Sequence, residues 1–258
     1  MLTNSESGTR IDEIADGVHR ISTPIPPSQI PGGFSFNQYL VLGDAPLLFH
    51  SGMRGLFPLV SEAISRVMPV ERLRYIGLGH FEADECGALN DFLAVAPDSV
   101  PVCSRVAAFT SVADYAIRPP RVLGDGEALD LGGRELVWID TPHLPHNWEA
   151  GVMFDRRTAT LLCGDLFTHG GHACPPVTSD DLVGPSEALR QAGFGDGIPD
   201  AYSLGSGYDA LLARLAALQP RTLGVMHGSA YEGRTATSCA SMLHELGRAL
   251  AATHAATT

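Results

Sequence analysis

The run His80-Phe81-Glu82-Ala83-Asp84-Glu85 places four side chains able to bind a metal within six residues, at the end of the apolar stretch Tyr75 to Leu78. In an extended chain alternate residues point the same way, so His80, Glu82 and Asp84 converge on one side. On the hexapeptide alone two readings stand: a metal site, or a polar loop in which Asp84 opens a helix as its cap. Three further candidates favour the metal. His146 comes soon after the apolar stretch Glu135 to Ile139, Asp165 after Ala159 to Cys163, and His227 after Thr222 to Met226. The gaps are 61 residues between Asp84 and His146, 18 between His146 and Asp165, and 61 between Asp165 and His227.

Elements that bring such distant residues together must be strands ending at one edge. Short β-like runs at Val18 to Ser22, Asn37 to Leu42 and Pro46 to Phe49 predict an antiparallel meander turned by Gly43-Asp44. Leu59, Val60, Ala63, Ile64 and Val67 recur at helical spacing within Leu56 to Met68. Helices are also expected over Asp84 to Val95, Arg105 to Ala116, residues 208–218 and residues 235–252, with strands at Pro101 to Cys103, Val122-Leu123, Glu127 to Leu131 and Glu135 to Ile139. Val152 to Phe154 and Ala159 to Cys163 read as a hairpin pair, and residues 174–206 as loop. Strands followed by helices, twice over, predict two packed sheets with helices outside, in one α/β domain over residues 1–258, its ends frayed near 1–10 and 255–258.

Composition removes whole classes of function. The chain has 258 residues and needs no metal merely to stay folded, so a metal site here is functional. All 17 basic residues are arginine. The absence of lysine excludes a P-loop lysine, a pyridoxal Schiff base and Ser-Lys catalysis. A net charge of -12 argues against nucleic acid and anionic membrane surfaces as partners. Cys86, Cys103, Cys163, Cys174 and Cys239 form no C-x-x-C pair, which predicts reduced thiols. Neither a signal-peptide pattern nor a run of eighteen apolar residues is present, so the expected location is the cytoplasm.

With these residues in view, the sequence resembles the metallo-β-lactamase superfamily, whose fold is a four-layer αββα sandwich with a dinuclear metal site at one edge. Most members carry H-x-H-x-D-H where this chain has H-x-E-x-D-E. The glutamate at the second ligand position is similar to that of the flavodiiron and oxygen-binding di-iron proteins. The resemblance implies one iron held by His80, Glu82 and His146, a second held by Asp84 and His227, and Asp165 bridging. The family usually has histidine where this chain has Glu85, and Glu85 either replaces it on the second iron or turns away. Four carboxylates and three imidazoles would neutralise two divalent ions. Such a hard, oxygen-rich set favours iron or manganese over zinc, and it weakens the Lewis acidity a hydrolytic hydroxide needs.

The resemblance therefore implies a di-iron protein that binds, senses or reduces oxygen or nitric oxide. The alternative is a dinuclear hydrolase, with zinc or manganese among the candidate metals, acting on an ester, thioester, lactone or phosphodiester. Full flavodiiron proteins append a flavodoxin-like domain, and no flavin signature occurs here, so no bound flavin is expected and electrons would come from a separate protein. A homodimer is typical of the family. Asp84, Glu85 and His143 are the candidates for catalytic roles, and His143 also competes with His146 as a ligand. His169 and His172 either line the pocket or sit in a solvated Gly-rich loop, and His50 is either a structural histidine or a partner of a ligand. Cys163 and Cys174 are set aside as ligands, His19, His244 and His254 are expected at the surface, and Ser203 to Gly207 lacks the G-x-S-x-G order of a nucleophile elbow.

Overall fold

A computed structural model describes residues 1–172, 174–192, 202, 207–233 and 238–257. Among these, fourteen strands form two seven-stranded sheets. The first runs β1 (Arg10–Ala15), β2 (Val18–Ile25), β3 (Phe34–Val41), β4 (Leu47–Phe49), β5 (Tyr75–Gly77), β6 (Val100–Ser104) and β7 (Arg121–Leu123) in spatial order. It is antiparallel as far as β4 and parallel from there on. The second sheet comprises β8 (Ala128–Asp130), β9 (Glu135–Asp140), β10 (Gly151–Asp155), β11 (Thr160–Leu162), β12 (Val177–Thr178), β13 (Thr222–Gly224) and β14 (Ala230–Glu232), in spatial order β12-β14-β13-β11-β10-β9-β8.

Burial on both faces explains the uninterrupted apolar strands. Between the sheets lie Tyr39, Phe49, Leu129, Leu136, Trp138, Met153 and Leu162, all buried. On the outer face of the first sheet, Leu40, Leu48 and Ile76 pack against helix α1 (Phe57–Ser65) and helix α3 (Leu89–Val95) through Val60, Ile64, Phe92 and Leu93. Ile139, Leu161 and Leu223 do the same on the far side, together with Leu212, Leu215, Leu243 and Leu246 of the helices at Tyr208–Ala217 and Cys239–Thr257. The result is the expected four-layer αββα sandwich. Within the second sheet the Trp138 ring of β9 lies over Gly151 of the neighbouring β10, where a Cβ would stand 2.1 Å from it.

Several boundaries differ from the sequence reading. The segment Arg10–Ala15 pairs with β2, and the Met1 ammonium donates to the Ile11 carbonyl at 2.7 Å, so the N-terminal residues fold back onto the sheet. The helix expected over Asp84 to Val95 is two pieces, α2 (Ala83–Cys86) and α3. The Ala88 N–H donates to the Gly52 carbonyl at 2.9 Å instead of to the preceding turn, which ends α2. The run beginning at Arg105 widens into a π turn over Ala108–Val112, between helical pieces α4 (Arg105–Ala107) and α5 (Ala113–Tyr115). Within residues 174–206, expected as loop, the structure places β12 and helix α6 (Val183–Ala192). Helix α7 (Tyr208–Ala217) matches its expectation, and α8 runs Cys239–Thr257. Ser203–Ser206 lie outside the described residues. No described helix is long and apolar enough to cross a membrane.

Candidate metal centre

Four strand ends at one edge of the sandwich deliver the metal-capable side chains. His80 and Glu82 follow β5, His146 lies between β9 and β10, Asp165 follows β11, and His227 follows β13. Asp84 sits in the first turn of α2. The loops carrying them are tied to one another: Gly151 N–H donates to the Gly79 carbonyl at 2.8 Å, and Met226 N–H to the Gly164 carbonyl at 2.8 Å. The first sheet grips the His227 loop. Asn37 Nδ2 donates to the carbonyls of Val225 and Gly228 at 2.9 Å each, Tyr39 Oη donates to Val225 at 2.7 Å, and Arg20 Nη2 to Gly228 at 2.6 Å. Gly228 is in the left-handed region, φ 98°, with the His169 ring where a side chain would stand.

Two clusters result. In the first, His80 Nε2 is 2.8 Å from Glu82 Oε2, 2.9 Å from His146 Nε2 and 3.6 Å from Asp165 Oδ2. His146 Nε2 is 3.0 Å from Glu82 Oε2 and 3.4 Å from Asp165 Oδ2. In the second, His227 Nε2 lies 3.3 Å from Asp84 Oδ2 and 3.3 Å from Asp165 Oδ1. Asp165 faces both clusters, one oxygen to each. The candidate donor atoms of each group lie within 4.8 Å of one another.

The electrostatics of the protein without metal reflect this crowding. Burial opposes charge on His227, yet Asp165 and Asp84 hold its pKa up to about 10. Burial likewise opposes charge on His80, and Glu85 with Glu82 overcomes it, raising that pKa well above the ordinary histidine value. Hydrogen bonds from His146 and His80 lower Glu82 to about 2. Burial would raise Asp165, but His227, His80 and His146 hold it below the usual carboxylate range. The buried Asp84 Oδ1 has no hydrogen-bond partner, while Asp165 Oδ1 faces His227 Nε2. Leaving such a group as Asp84 Oδ1 unsatisfied costs about 1–3 kcal/mol or more, and a cation against this oxygen removes that cost. The donor set of imidazole and carboxylate suits a divalent first-row metal.

Glu85 stands apart from both clusters. It is buried, its Oε2 accepts from the N–H groups of Gly79 and His80 at 2.8 and 2.7 Å, and its Oε1 lies 3.1 Å from His80 Nδ1. The expectation that it could supply a seventh donor is not met by this geometry. The gathered set is three carboxylates and three imidazoles, in place of four and three. His143 is exposed, with φ 63°, while His146 takes the place in the cluster. His169 is buried and saturated: Nδ1 donates to the Phe167 carbonyl at 2.8 Å and Nε2 accepts from Ser229 N–H at 3.0 Å. His172 and His244 are exposed, and His19 is half-buried.

Sequence reasoning passed over Glu149, whose Oε1 accepts from Phe81 N–H at 3.1 Å and whose carbonyl accepts from Ser104 Oγ at 2.9 Å. Nothing in its spacing marks it. Phe34 and Phe36 were missed too. Phe34 stacks on the His227 ring at 4.4 Å between centroids, Phe36 meets it edge-on at 5.4 Å, and their alternate positions on one strand were the available signal.

Comparison with known proteins agrees with this architecture. A family model described as ODP family beta lactamase matches residues 34–182, more than half of the chain. Among curated relatives, an anaerobic nitric oxide reductase flavorubredoxin from Salmonella arizonae is 27% identical over 62% of this chain and 33% of its own length. The putative diflavin flavoprotein A 2 of Nostoc sp. is 26% identical over 62% of this chain and 27% of its own. The chain thus spans a third or less of these relatives. Among solved structures, a fragment of putative diflavin flavoprotein A 5 from Nostoc sp. superposes with a TM-score of 0.77 at 20% identity, covering 96% of this chain and 98% of that one. Rubredoxin oxygen:oxidoreductase from Desulfovibrio gigas superposes with a TM-score of 0.75 at 18% identity, covering 93% of this chain and 62% of its own. These likenesses establish the fold.

Proposed function

This chain belongs to the ODP family beta lactamases, and from that premise we propose that it is a di-iron protein that binds, senses or reduces oxygen or nitric oxide with electrons from a separate partner. The observation that carries the proposal is the Asp165 carboxylate, with Oδ2 turned to His80 and His146 and Oδ1 turned to His227. One carboxylate facing two ligand clusters suits two metals sharing a bridge. The printed names of the relatives point the same way, toward nitric oxide reduction for the flavorubredoxin and an oxygen:oxidoreductase for the Desulfovibrio protein.

In this reading His80, Glu82 and His146 hold one iron, Asp84 and His227 the other, and Asp165 both. A bound iron pair supplies electrons to, and a binding position for, the diatomic molecule. The chain's own groups set the conditions. His227 Nδ1 donates to the Ser35 carbonyl at 2.8 Å, which fixes the ring and leaves the Nε2 lone pair facing the cluster. Phe34 and Phe36 cover that ring and keep water from its flank. Three carboxylates offset much of the charge of two cations in a partly buried place, favouring redox or ligand-binding chemistry over generation of a strong hydroxide nucleophile.

Metal analysis and visible spectroscopy of the purified protein test the proposal. The expected result is about two irons per chain and an absorption band that changes between dithionite-reduced and air-exposed samples. Two zincs, no colour change and turnover of a chromogenic ester would replace it with the hydrolase reading.

A further inference from the structure

Behind His80 lies a buried pair that the iron-binding reading does not use. Glu85 and His50 are both 0% exposed. Glu85 Oε1 is 3.1 Å from His80 Nδ1 and 3.1 Å from His50 Nε2, while its Oε2 takes the two backbone N–H groups of Gly79 and His80. The Glu85 carbonyl accepts from Ser51 N–H at 2.6 Å, so its backbone is pinned as well. His50 in turn has Nδ1 3.0 Å from Met226 Sδ, stacks on Phe49 at 4.2 Å and holds a left-handed backbone, φ 66°. For a residue without glycine's freedom that conformation persists only where the surroundings enforce it. Glu85 Oε2 is taken by backbone donors, and Oε1 sits beside the outer nitrogen of His80 and the His50 ring, on the side away from the clusters.

The arrangement has a consequence for the two clusters. A carboxylate on the remote nitrogen of a ligating histidine fixes tautomer and ring orientation and raises basicity. His80, in the four-membered group with Glu82, His146 and Asp165, has such a partner. The other group gathers only Asp84, Asp165 and His227 among the described residues. Glu85, adjacent to Asp84 in sequence, is the side chain that would have raised that number, and it points elsewhere.

We propose that Glu85 and His50 form a buried brace for His80, so that the two metal positions are ranked: the braced, four-donor site loads first and tightly, and the three-donor site second and more weakly. Glu85 is thus a positioning residue that acts through His80. The proposal rests on reading both clusters as metal sites.

Anaerobic titration of the metal-free chain with Co(II), followed by calorimetry and by visible absorption, tests the ranking. The wild-type chain should bind two ions in two resolved steps. Glu85→Gln is nearly isosteric, but with its oxygen on the two backbone donors its NH2 meets the Nδ1–H of a His80 that ligates through Nε2, donor against donor. In this variant the first step should weaken 10–100-fold, with a changed absorption spectrum, while the second step stays within about threefold and the total remains two ions. His50→Gln leaves the Glu85 backbone contacts in place and should weaken the same step by less, which keeps the idea testable if Glu85→Gln folds poorly. Loss of one ion in Glu85→Gln with the first step unchanged would make Glu85 a ligand and overturn the brace. Two equal steps in the wild type, or no change in either variant, would also overturn it. A wild-type chain that takes up no Co(II) removes the metal reading and the brace together. Ranked loading in a chain whose iron form ignores oxygen and nitric oxide removes the proposed function and leaves the brace standing.

Discussion

Asp165→Asn is the most telling single substitution, because this side chain serves both clusters. Its Oδ1 stands 3.3 Å from His227 Nε2. Opposite charges at that distance attract by roughly 5 kcal/mol at an effective dielectric of about 20. The rise of the His227 pKa from 6.5 to about 10 corresponds to a similar energy at about 1.4 kcal/mol per pH unit, with Asp84 sharing the work. Removing Asp165, the stronger of the two carboxylate influences, should therefore lower the His227 pKa in the metal-free protein well below 10. The folded-state pKa lies above the unfolded one, so this histidine stabilises the metal-free fold fully below about pH 6.5, and the contribution disappears as pH rises toward 10. The substitution should flatten that dependence. Histidine-selective NMR titration of the metal-free protein reads the first effect, and urea unfolding at pH 6 and pH 9.5 the second. Because a bridging donor is lost, metal content should also fall from two ions to one or none. A variant that keeps two tightly bound ions, or a His227 that still titrates near 10, would refute the bridging geometry.

Three further outcomes can be checked independently. Glu82→His replaces a hard oxygen donor with nitrogen and should move the bound metal toward zinc; unchanged iron content and colour by metal analysis would disprove the argument from ligand hardness. Asp155→Asn breaks a buried two-point pair, Arg134 Nε to Oδ1 at 3.1 Å and Nη2 to Oδ2 at 2.6 Å, and should cost about 3–5 kcal/mol by urea unfolding at pH 7. Although burial opposes it, Arg134 holds the Asp155 pKa below its ordinary value, so the wild-type advantage is present above about pH 4 and shrinks as pH falls below it. His143→Ala removes an exposed ring outside both clusters and should leave metal stoichiometry unchanged; loss of an ion would bring His143 into the centre.

The strand-end pattern made much of the centre legible. His80, Glu82, His146, Asp165, Asp84 and His227 each come within a few residues of a strand or open a helix beside one, but none lies in a strand, so the loops and the first turn of α2, and not strand alternation, set which way they face. The elements that escaped were those whose signal is not local. β1 mixes three charged with three apolar residues out of strict alternation, and its pairing with β2 and the burial of Ile11 make it a strand. The break between α2 and α3 comes from a hydrogen bond to Gly52, a residue some 35 positions earlier in the chain. Apolar periodicity alone reads through such a break.

Residue types and their spacing by themselves pointed to the two-sheet architecture and to a metal-capable set, six members of which the structure gathers at one edge. Whether Glu85 faces a metal or a histidine was decided by tertiary structure. Adjacent residues on one helical turn point in different directions, and the Glu85 carboxylate is turned to the backbone N–H groups of Gly79 and His80, with the rings of His80 and of His50, the latter delivered by β4, beside its other oxygen. The bridging of Asp165 is likewise a matter of three loops meeting in space. Local sequence sets what a side chain can bind, and long-range packing sets which of its atoms face which neighbour.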